Sequence, residues 1–317
     1  VRLAGTFEHV PPIPAYFAAR TIPPKVIVST KPVGSIIEGW LSSLSLLMTQ
    51  STGMLPVTSV ALPGANDGRA LRLQLNDRPP GARASPGGEH RQPQPALPLR
   101  TYGSRMRSAD CRGQNRPGVV TGVFVYAMDH SDADRDGLPD NDEIDFEFLC
   151  GQPEVVWMTL WTDYDEPRDI PRQITRAVNL RTGQVLLNCY HDNWSTPCKP
   201  LLPGENSPAT VAAVPGYDSS TQFWTYSFDW QPTRVTFRAA NDAGRQIVLW
   251  DYRGPTSRIP QKPATFMQNV WHTRTWHPFN GPAGNQPTAP VSAYLDSTVL
   301  PRLLLELPAR PGMLAGS

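Results

Sequence analysis

Three carboxylates recur at every second position in Asn141-Asp142-Glu143-Ile144-Asp145-Phe146-Glu147-Phe148-Leu149. A period of two is that of a β-strand, so Glu143, Asp145 and Glu147 share one face while Ile144, Phe146 and Phe148 share the other. Like charges in a row repel, and a merely solvated face would intersperse lysine or arginine among them. Two acids flanking a glycosidic bond can divide the roles of nucleophile and proton donor when their surroundings hold their pKa values apart. Positions i and i+4 of a strand lie roughly 13 Å apart along the backbone. Twist and inward-leaning side chains shorten that gap towards the separation of about 5–5.5 Å that double displacement uses. Asp145, between the two glutamates, is placed to hydrogen-bond one of them and tune the pair.

The segments around this row must hold it in a sheet. Residues 119–126, rich in valine with Phe124 and Tyr126, read as a strand flanking it. Residues 70–75, 102–107, 155–161, 223–230, 234–239, 247–250, 264–271 and 293–299 read as further short strands, and scarcely any stretch has a helical period. The 35 prolines and 24 glycines suit many turns. Residues 78–98, full of Pro, Gly and Gln, read as a long surface loop. In residues 1–60 repeated prolines break the chain into short pieces, with one short apolar helix candidate at 35–48. Residues 301–317 read as a tail.

The row and its neighbours together resemble one family. Glu143-Ile144-Asp145-Phe146-Glu147 is similar to the E-x-D-x-E signature of glycoside hydrolase family 16, which includes licheninases, other β-glucanases and xyloglucan endotransglycosylases. Tyr102-Gly103 with Arg105-Met106-Arg107 resembles its preceding strand, although only Ser104 separates the two pieces where the family has several residues. The run from Phe223 through Trp230 to Pro232 resembles its F-H-T-Y-x-F-x-W-x-P block, and Met267-Gln268-Asn269-Val270-Trp271 its M-x-N-x-W strand. Tyr294-Leu295-Asp296 stands where the last core strand would be. The resemblance covers residues 61–300 and implies an all-β fold, an antiparallel β-jelly-roll sandwich of the concanavalin A-like kind with a concave substrate cleft. Residues 1–60 then form an unassigned N-terminal segment.

From the family's order of roles, Glu143 is expected as nucleophile, Glu147 as acid/base and Asp145 as the residue that orients Glu143. Strand alternation puts Trp157, Thr159 and Trp161 on one face, and the corresponding family positions line the cleft. Asn269 and Trp271 are the second expected pair of substrate contacts, since sugar rings stack on aromatic side chains. His272 and His277 are candidates for the cleft rim, and Trp230 and Tyr226 for the core. The unbulged form of the motif goes with licheninases and xyloglucan enzymes. The expected activity is therefore retaining, endo-acting hydrolysis of a β-linked glucan, first of mixed-linkage β-1,3-1,4-glucan or β-1,3-glucan. Xyloglucan endotransglycosylase-type transfer is the alternative within the family. A non-catalytic calcium- or carbohydrate-binding β-sandwich is the alternative outside it.

Residues 132–143 satisfy D-x-D-x-D-G with an acid at position nine and Glu143 at position twelve, the oxygen-donor spacing of an EF-hand-like calcium loop. Glu143 cannot both ligate a cation and attack a sugar, which leaves Asp132, Asp134, Asp136 and Asp140 as candidate ligands of a structural calcium. The family resemblance implies a different calcium site, touching Asp296. No cofactor is expected for catalysis.

A formal net charge of +1 offers nothing to nucleic acid or to an anionic membrane, so a polysaccharide is the expected partner and a monomer the expected state. The four cysteines show no C-x-x-C spacing; Cys189 and Cys198 could close a loop disulfide or remain free thiols. No G-x-S-x-G and no phosphate-binding glycine loop occurs. Asn193-Trp194-Ser195 is a glycosylation sequon by pattern. The chain opens at Val1 without methionine, which suits a removed leader and an extracellular, secreted protein.

Overall fold

A computed structural model describes residues 21–22, 57–76, 85–96, 100–115, 118–128, 131–165, 167–194, 196–272 and 287–300. Fifteen strands follow one another: β1 (Thr21–Ile22), β2 (Thr58–Ala61), β3 (Arg69–Leu75), β4 (Ser85–Ala96), β5 (Arg100–Arg107), β6 (Val119–Met128), β7 (Asp140–Leu149) and β8 (Val155–Asp165) come first. Then come β9 (Ile170–Asn179), β10 (Gln184–His191), β11 (Trp224–Gln231), β12 (Arg234–Ala240), β13 (Gln246–Tyr252), β14 (Ala264–His272) and β15 (Val291–Val299). A single 3-10 turn at Thr256–Arg258 is the only helical element among the described residues.

The strands form two antiparallel sheets, an all-β jelly-roll sandwich as expected. One sheet runs β13-β12-β11-β5-β15-β3-β2, with β1 added beside β15; the other runs β10-β9-β8-β7-β6-β14-β4. The carboxylate strand β7 is therefore the middle strand of the seven. Its alternation is resolved as the sequence implies: Ile144, Phe146 and Phe148 are fully buried between the sheets, while Glu143 and Glu147 reach the opposite, open face.

Aromatic packing across the sandwich fixes the register of β7. Phe146 meets Phe237 edge-on at 5.1 Å and Phe148 lies 4.5 Å from Tyr226, both partners belonging to the facing sheet. Burying each phenylalanine contributes about 1.5–3 kcal/mol. A slip of one residue would instead bring the carboxylates into the core. Tyr226 in turn shares a 2.7 Å hydroxyl contact with Tyr217, so its polar end is satisfied in the interior. Trp230 is fully buried and donates its indole N–H to the Pro260 carbonyl at 2.8 Å. A second polar tie crosses the sandwich where Gln268 of β14 donates to Ser104 of β5 at 2.8 Å and to Thr298 of β15 at 3.2 Å.

Two sequence expectations change here, and one is met. The stretch read as a surface loop contains β4, which pairs with β14 and forms the edge of the seven-stranded sheet. Proline and glycine hid it, and an edge strand tolerates both because one side of its ladder needs no partner. The strand with the short spacing between Tyr102-Gly103 and Arg105 is found as expected: β5 pairs in continuous register with β11 and, with a shift between Leu295 and Ser297, with β15 in the centre of the other sheet. Strands β9 and β10 pair antiparallel and extend the sheet beyond β8, in a stretch where no strand was expected. The candidate helix at 35–48, the residues 273–286 that include His277, and the tail 301–317 lie outside the described residues.

Candidate active site

Strand pairing lays the open face of the seven-stranded sheet out in rows. Glu147 stands between Trp157 of β8 and Gly122 of β6, Asp145 between Thr159 and Phe124, and Glu143 between Trp161 and Tyr126. One strand further, β14 sets Asn269 beside Gly122 and Met267 beside Phe124. A cleft of about 270 Å³ opens over these rows, lined by the three acids, by Gly122, Phe124 and Tyr126, and by Met267, Asn269 and Trp271. All three expected acids and both expected β14 contacts thus come together around one cavity.

Electrostatics separate the three acids. Removal from water pushes the Glu143 carboxyl up to about 7, opposed by hydrogen bonds from Asp145 and from the Asn141 side chain. Burial raises Glu147 further, to about 8, and the nearby Glu143 charge adds to the rise. Asp145 is held well above the usual carboxylate range, first by burial and then by the charges of Glu143 and Glu147, against an opposing hydrogen bond from the Trp161 indole. The Asp145–Glu143 hydrogen bond lowers one partner and raises the other, so Asp145 carries the proton and donates it to an ionised Glu143. Burial and crowding thus hold Glu147 above Glu143, so Glu143 is the first of the two glutamates to give up its proton as pH rises. Both glutamates retain some contact with solvent.

The aromatic residues sort differently from expectation. Trp161 is half-buried and begins a chain of rings: Tyr164 lies 5.7 Å and Trp194 6.0 Å from it, with His191 4.9 Å beyond Trp194. Trp194 is 39% exposed. Trp157 is on the same face but only 6% exposed, packed with Val120, Leu149, Val155 and Ala177. Trp271 bridges the two settings, lining the cleft and packing against that cluster. Thr159 is buried, its hydroxyl 3.4 Å from that of Thr175. His272 is fully buried rather than at the rim, because on β14 it alternates to the face opposite Trp271.

Reasoning from sequence missed Gly122, Phe124, Tyr126, Met267 and Trp194. The first three follow from alternation along a strand the sequence did reveal, since Gly122 opposes Glu147 and every second residue then faces the cleft. Gly122 also leaves room for Asn269, because a Cβ there would stand 2.7 Å from Asn269 Oδ1 and displace that side chain. That oxygen is buried and has no hydrogen-bond partner among the described residues.

The Asp-rich stretch leads directly into β7, with Asp132, Asp134 and Asp136 exposed and Asp140 buried. Asp296, expected from the family resemblance as a calcium contact, instead pairs with Arg105 at 3.0 Å and accepts hydrogen bonds from Asn66 at 2.7 Å. Both oxygens of that carboxylate are thus engaged by neighbours among the described residues. All four cysteines are bonded, as Cys111–Cys150 and Cys189–Cys198. No helix among the described residues is long and apolar enough to cross a membrane.

No protein-family model matches the chain. It is similar to a curated β-glucanase from Bacillus licheniformis, 22% identical over 174 residues, which are 55% of this chain and 49% of the relative. The chain thus spans about half the length of the curated relative it matches. A lichenase crystal structure derived from a mouse hindgut metagenome is 20% identical, with 74% of this chain and 79% of that one covered and a TM-score of 0.43. A Bacteroides ovatus mixed-linkage-glucan GH16 protein in complex with a G4G4G3G product is 11% identical, with 76% and 84% covered and a TM-score of 0.44. Such distant likenesses say nothing of this chain's substrate.

Proposed function

We propose that this chain belongs to glycoside hydrolase family 16 and cleaves a β-linked glucan internally with retention of configuration. The observation that carries the reading is the row itself: Glu143 and Glu147 on one open face, Asp145 between them, all three lining a single cleft. Glu143 attacks the anomeric carbon while Glu147 gives its proton to the departing glycosidic oxygen. Glu147, now ionised, takes a proton from the water that cleaves the glycosyl–enzyme bond, and Glu143 leaves as a carboxylate. Asp145 orients Glu143 by the proton it donates and spreads the charge of the ionised state.

The surrounding side chains suit a sugar. Trp161 and Trp271 offer rings to apolar sugar faces, and the Asn269 oxygen without a partner suits a hydroxyl donor. The substrate we favour is mixed-linkage β-1,3-1,4-glucan or β-1,3-glucan, from the unbulged motif, and the site of action is outside the cell. Transfer to a second sugar differs from hydrolysis only in the acceptor, and added oligosaccharide distinguishes the two.

The test is product release from lichenan, laminarin, xyloglucan and agarose, with and without added oligosaccharide acceptor. NMR of the first-formed anomer reads retention. Glu143→Gln is expected to cost at least about 10⁴-fold in kcat and Glu147→Gln about 10²–10⁴-fold, with folding retained. Activity is expected between limbs at about 7 and about 8, since Glu143 must be ionised and Glu147 protonated. A chain that binds these glucans yet releases nothing from any of them would sink the reading in favour of a non-catalytic module.

A further inference from the structure

The loop that feeds β7 gathers more negative charge than its neighbours neutralise. Asp132, Asp134 and Asp136 have carboxylate oxygens within 4.8 Å of one another, and so do Asp134, Asp140 and Asp163. Asp134 belongs to both groups and so links the exposed arm of the loop to the buried pair Asp140 and Asp163. Lys262 pairs with Asp140, and Arg172 stands 3.5 Å from Asp136. Arg168 also reaches the loop but donates to the Gly137 carbonyl at 3.1 Å. Two paired cations face five carboxylates.

Asp163 is the residue that turns a solvated acidic turn into a pocket. It is 3% exposed, and its Oδ1 is buried without a hydrogen-bond partner among the described residues, while Oδ2 takes the Thr162 hydroxyl at 2.8 Å. Burying a carboxylate oxygen with nothing to satisfy it is costly, and a cation is the partner that the neighbouring acids would select. Backbone geometry aims it there. Asp163 is the direct cross-strand partner of Asp140, and the β7–β8 register shifts between Asp140 and Glu143. A second shift between Trp161 and Asp163 in the β8–β9 pairing breaks the alternation on the other side. Such irregularities re-aim side chains at the end of a ladder. Gly137, at φ 90°, makes the sharp turn that brings the Asp132–Asp136 arm back over them.

We infer that Asp134, Asp140 and Asp163 bind a calcium ion at the entry to β7, with Asp132 and Asp136 adding negative charge beside it. The spacing along the loop offered Glu143 as the twelfth-position ligand, but Glu143 faces the cleft, and Asp163 from the neighbouring strand takes that place. The donor set is all oxygen, with neither imidazole nor thiolate, which selects a hard cation over zinc or copper. Oxygens up to 4.8 Å apart suit a ligand shell of radius about 2.3–2.6 Å, and a partly exposed loop suits calcium's flexible coordination more than magnesium's tight octahedron. The ion ties the start of β7 to the end of β8, three residues from Glu143. It stands whether or not the cleft hydrolyses glucan.

Calorimetric titration of calcium chloride into the EDTA-treated full chain, with thermal unfolding in parallel, tests this. One ion per chain is expected, with magnesium much weaker. Unfolding is expected to rise by roughly 5–10 °C at a hundredfold excess over Kd. Asp163→Asn and the exposed Asp134→Asn are each expected to weaken binding at least tenfold. Glu143→Gln is expected to bind as the parent does. Absence of both heat and thermal shift in the parent chain would overturn the site. Undiminished binding in Asp134→Asn, a surface change that the fold tolerates, would overturn it equally. Loss of binding in Glu143→Gln would remove Asp163 as the completing ligand.

Discussion

Glu143 and Glu147 are costly residues for the fold, and the cost has a sign that can be measured. Burial raises both carboxyls, to about 7 and about 8, above their ordinary range near 4.5. A carboxyl raised in the folded state binds more protons there than in the unfolded chain, so stability declines as pH climbs from the unfolded value to the folded one. Glu143→Gln and Glu147→Gln remove that decline. Each variant is expected to unfold at a higher temperature than the parent at pH 8.5, and the difference is expected to shrink towards pH 4.5. Thermal unfolding at the two pH values reads this, and a variant less stable than the parent at pH 8.5 would contradict the burial argument. The three acids were legible in the sequence because period two and identical charge are visible without any partner. The division between Trp157 and Trp161 was not, since alternation gives the face a side chain occupies and says nothing of what packs over it. Val120, Leu149 and Ala177 cover Trp157, while Trp161 remains half-buried beside Tyr164 and Trp194.

Strands, not residues, decide where a glycine matters. Gly103 lies on β5 in the centre of the facing sheet, where an added Cβ would stand 2.3 Å from the Tyr226 carbonyl oxygen. Backbone cannot move aside without opening the β5–β11 ladder. Gly122 lies on β6 beside the cleft, and its added Cβ would meet the Asn269 side-chain oxygen at 2.7 Å. An amide at the end of a side chain can swing away. Gly103→Ala is therefore expected to lower stability by about 1–3 kcal/mol or more. Gly122→Ala is expected to leave unfolding nearly unchanged while raising KM, through a displaced Asn269. Unfolding midpoints and Michaelis profiles of the two variants check the contrast, and equal losses of stability would refute it. The sequence revealed β3, β5–β8 and β11–β15 because each alternates or carries a β-branched and aromatic run. Strand β4 carries Pro86, Pro93 and Pro95 and pairs only at an edge, so composition pointed to a loop. The β9–β10 pair mixes arginine, threonine and asparagine into its strands, and pairing to β8 rather than local pattern selects its extended form.

At the scale of the molecule, the two sheets meet through an aromatic core, and a disulfide holds one end of the carboxylate strand. Cys111 lies in the connection between β5 of the eight-stranded sheet and β6 of the seven-stranded one, and Cys150 directly follows β7, so their bond ties that connection to the end of the carboxylate strand. It lies at the end of β7 opposite the Asp-rich loop, and the carboxylate strand is thereby anchored at both ends. The bond closes a sequence separation of 39 residues, against 9 for Cys189–Cys198. Loop-closure entropy grows with the logarithm of that length, so the longer bond is worth about 1 kcal/mol more, within an expected range of about 2–4 kcal/mol for each. Replacing both Cys111 and Cys150 by alanine is thus expected to lower the unfolding midpoint more than replacing Cys189 and Cys198, by a few degrees. The kcat of the folded fraction should change little in either case, because Phe146 and Phe148 still hold β7 in register. Unfolding curves of the two double variants, with and without reductant, read the order. A larger loss from the Cys189–Cys198 pair would mean that the sandwich is held by its core alone and that the exposed Trp194 loop is the weaker part of the protein. The reductant has its own expected reading: it should bring the parent chain down to the midpoint of a variant lacking both bonds, and leave that variant unmoved.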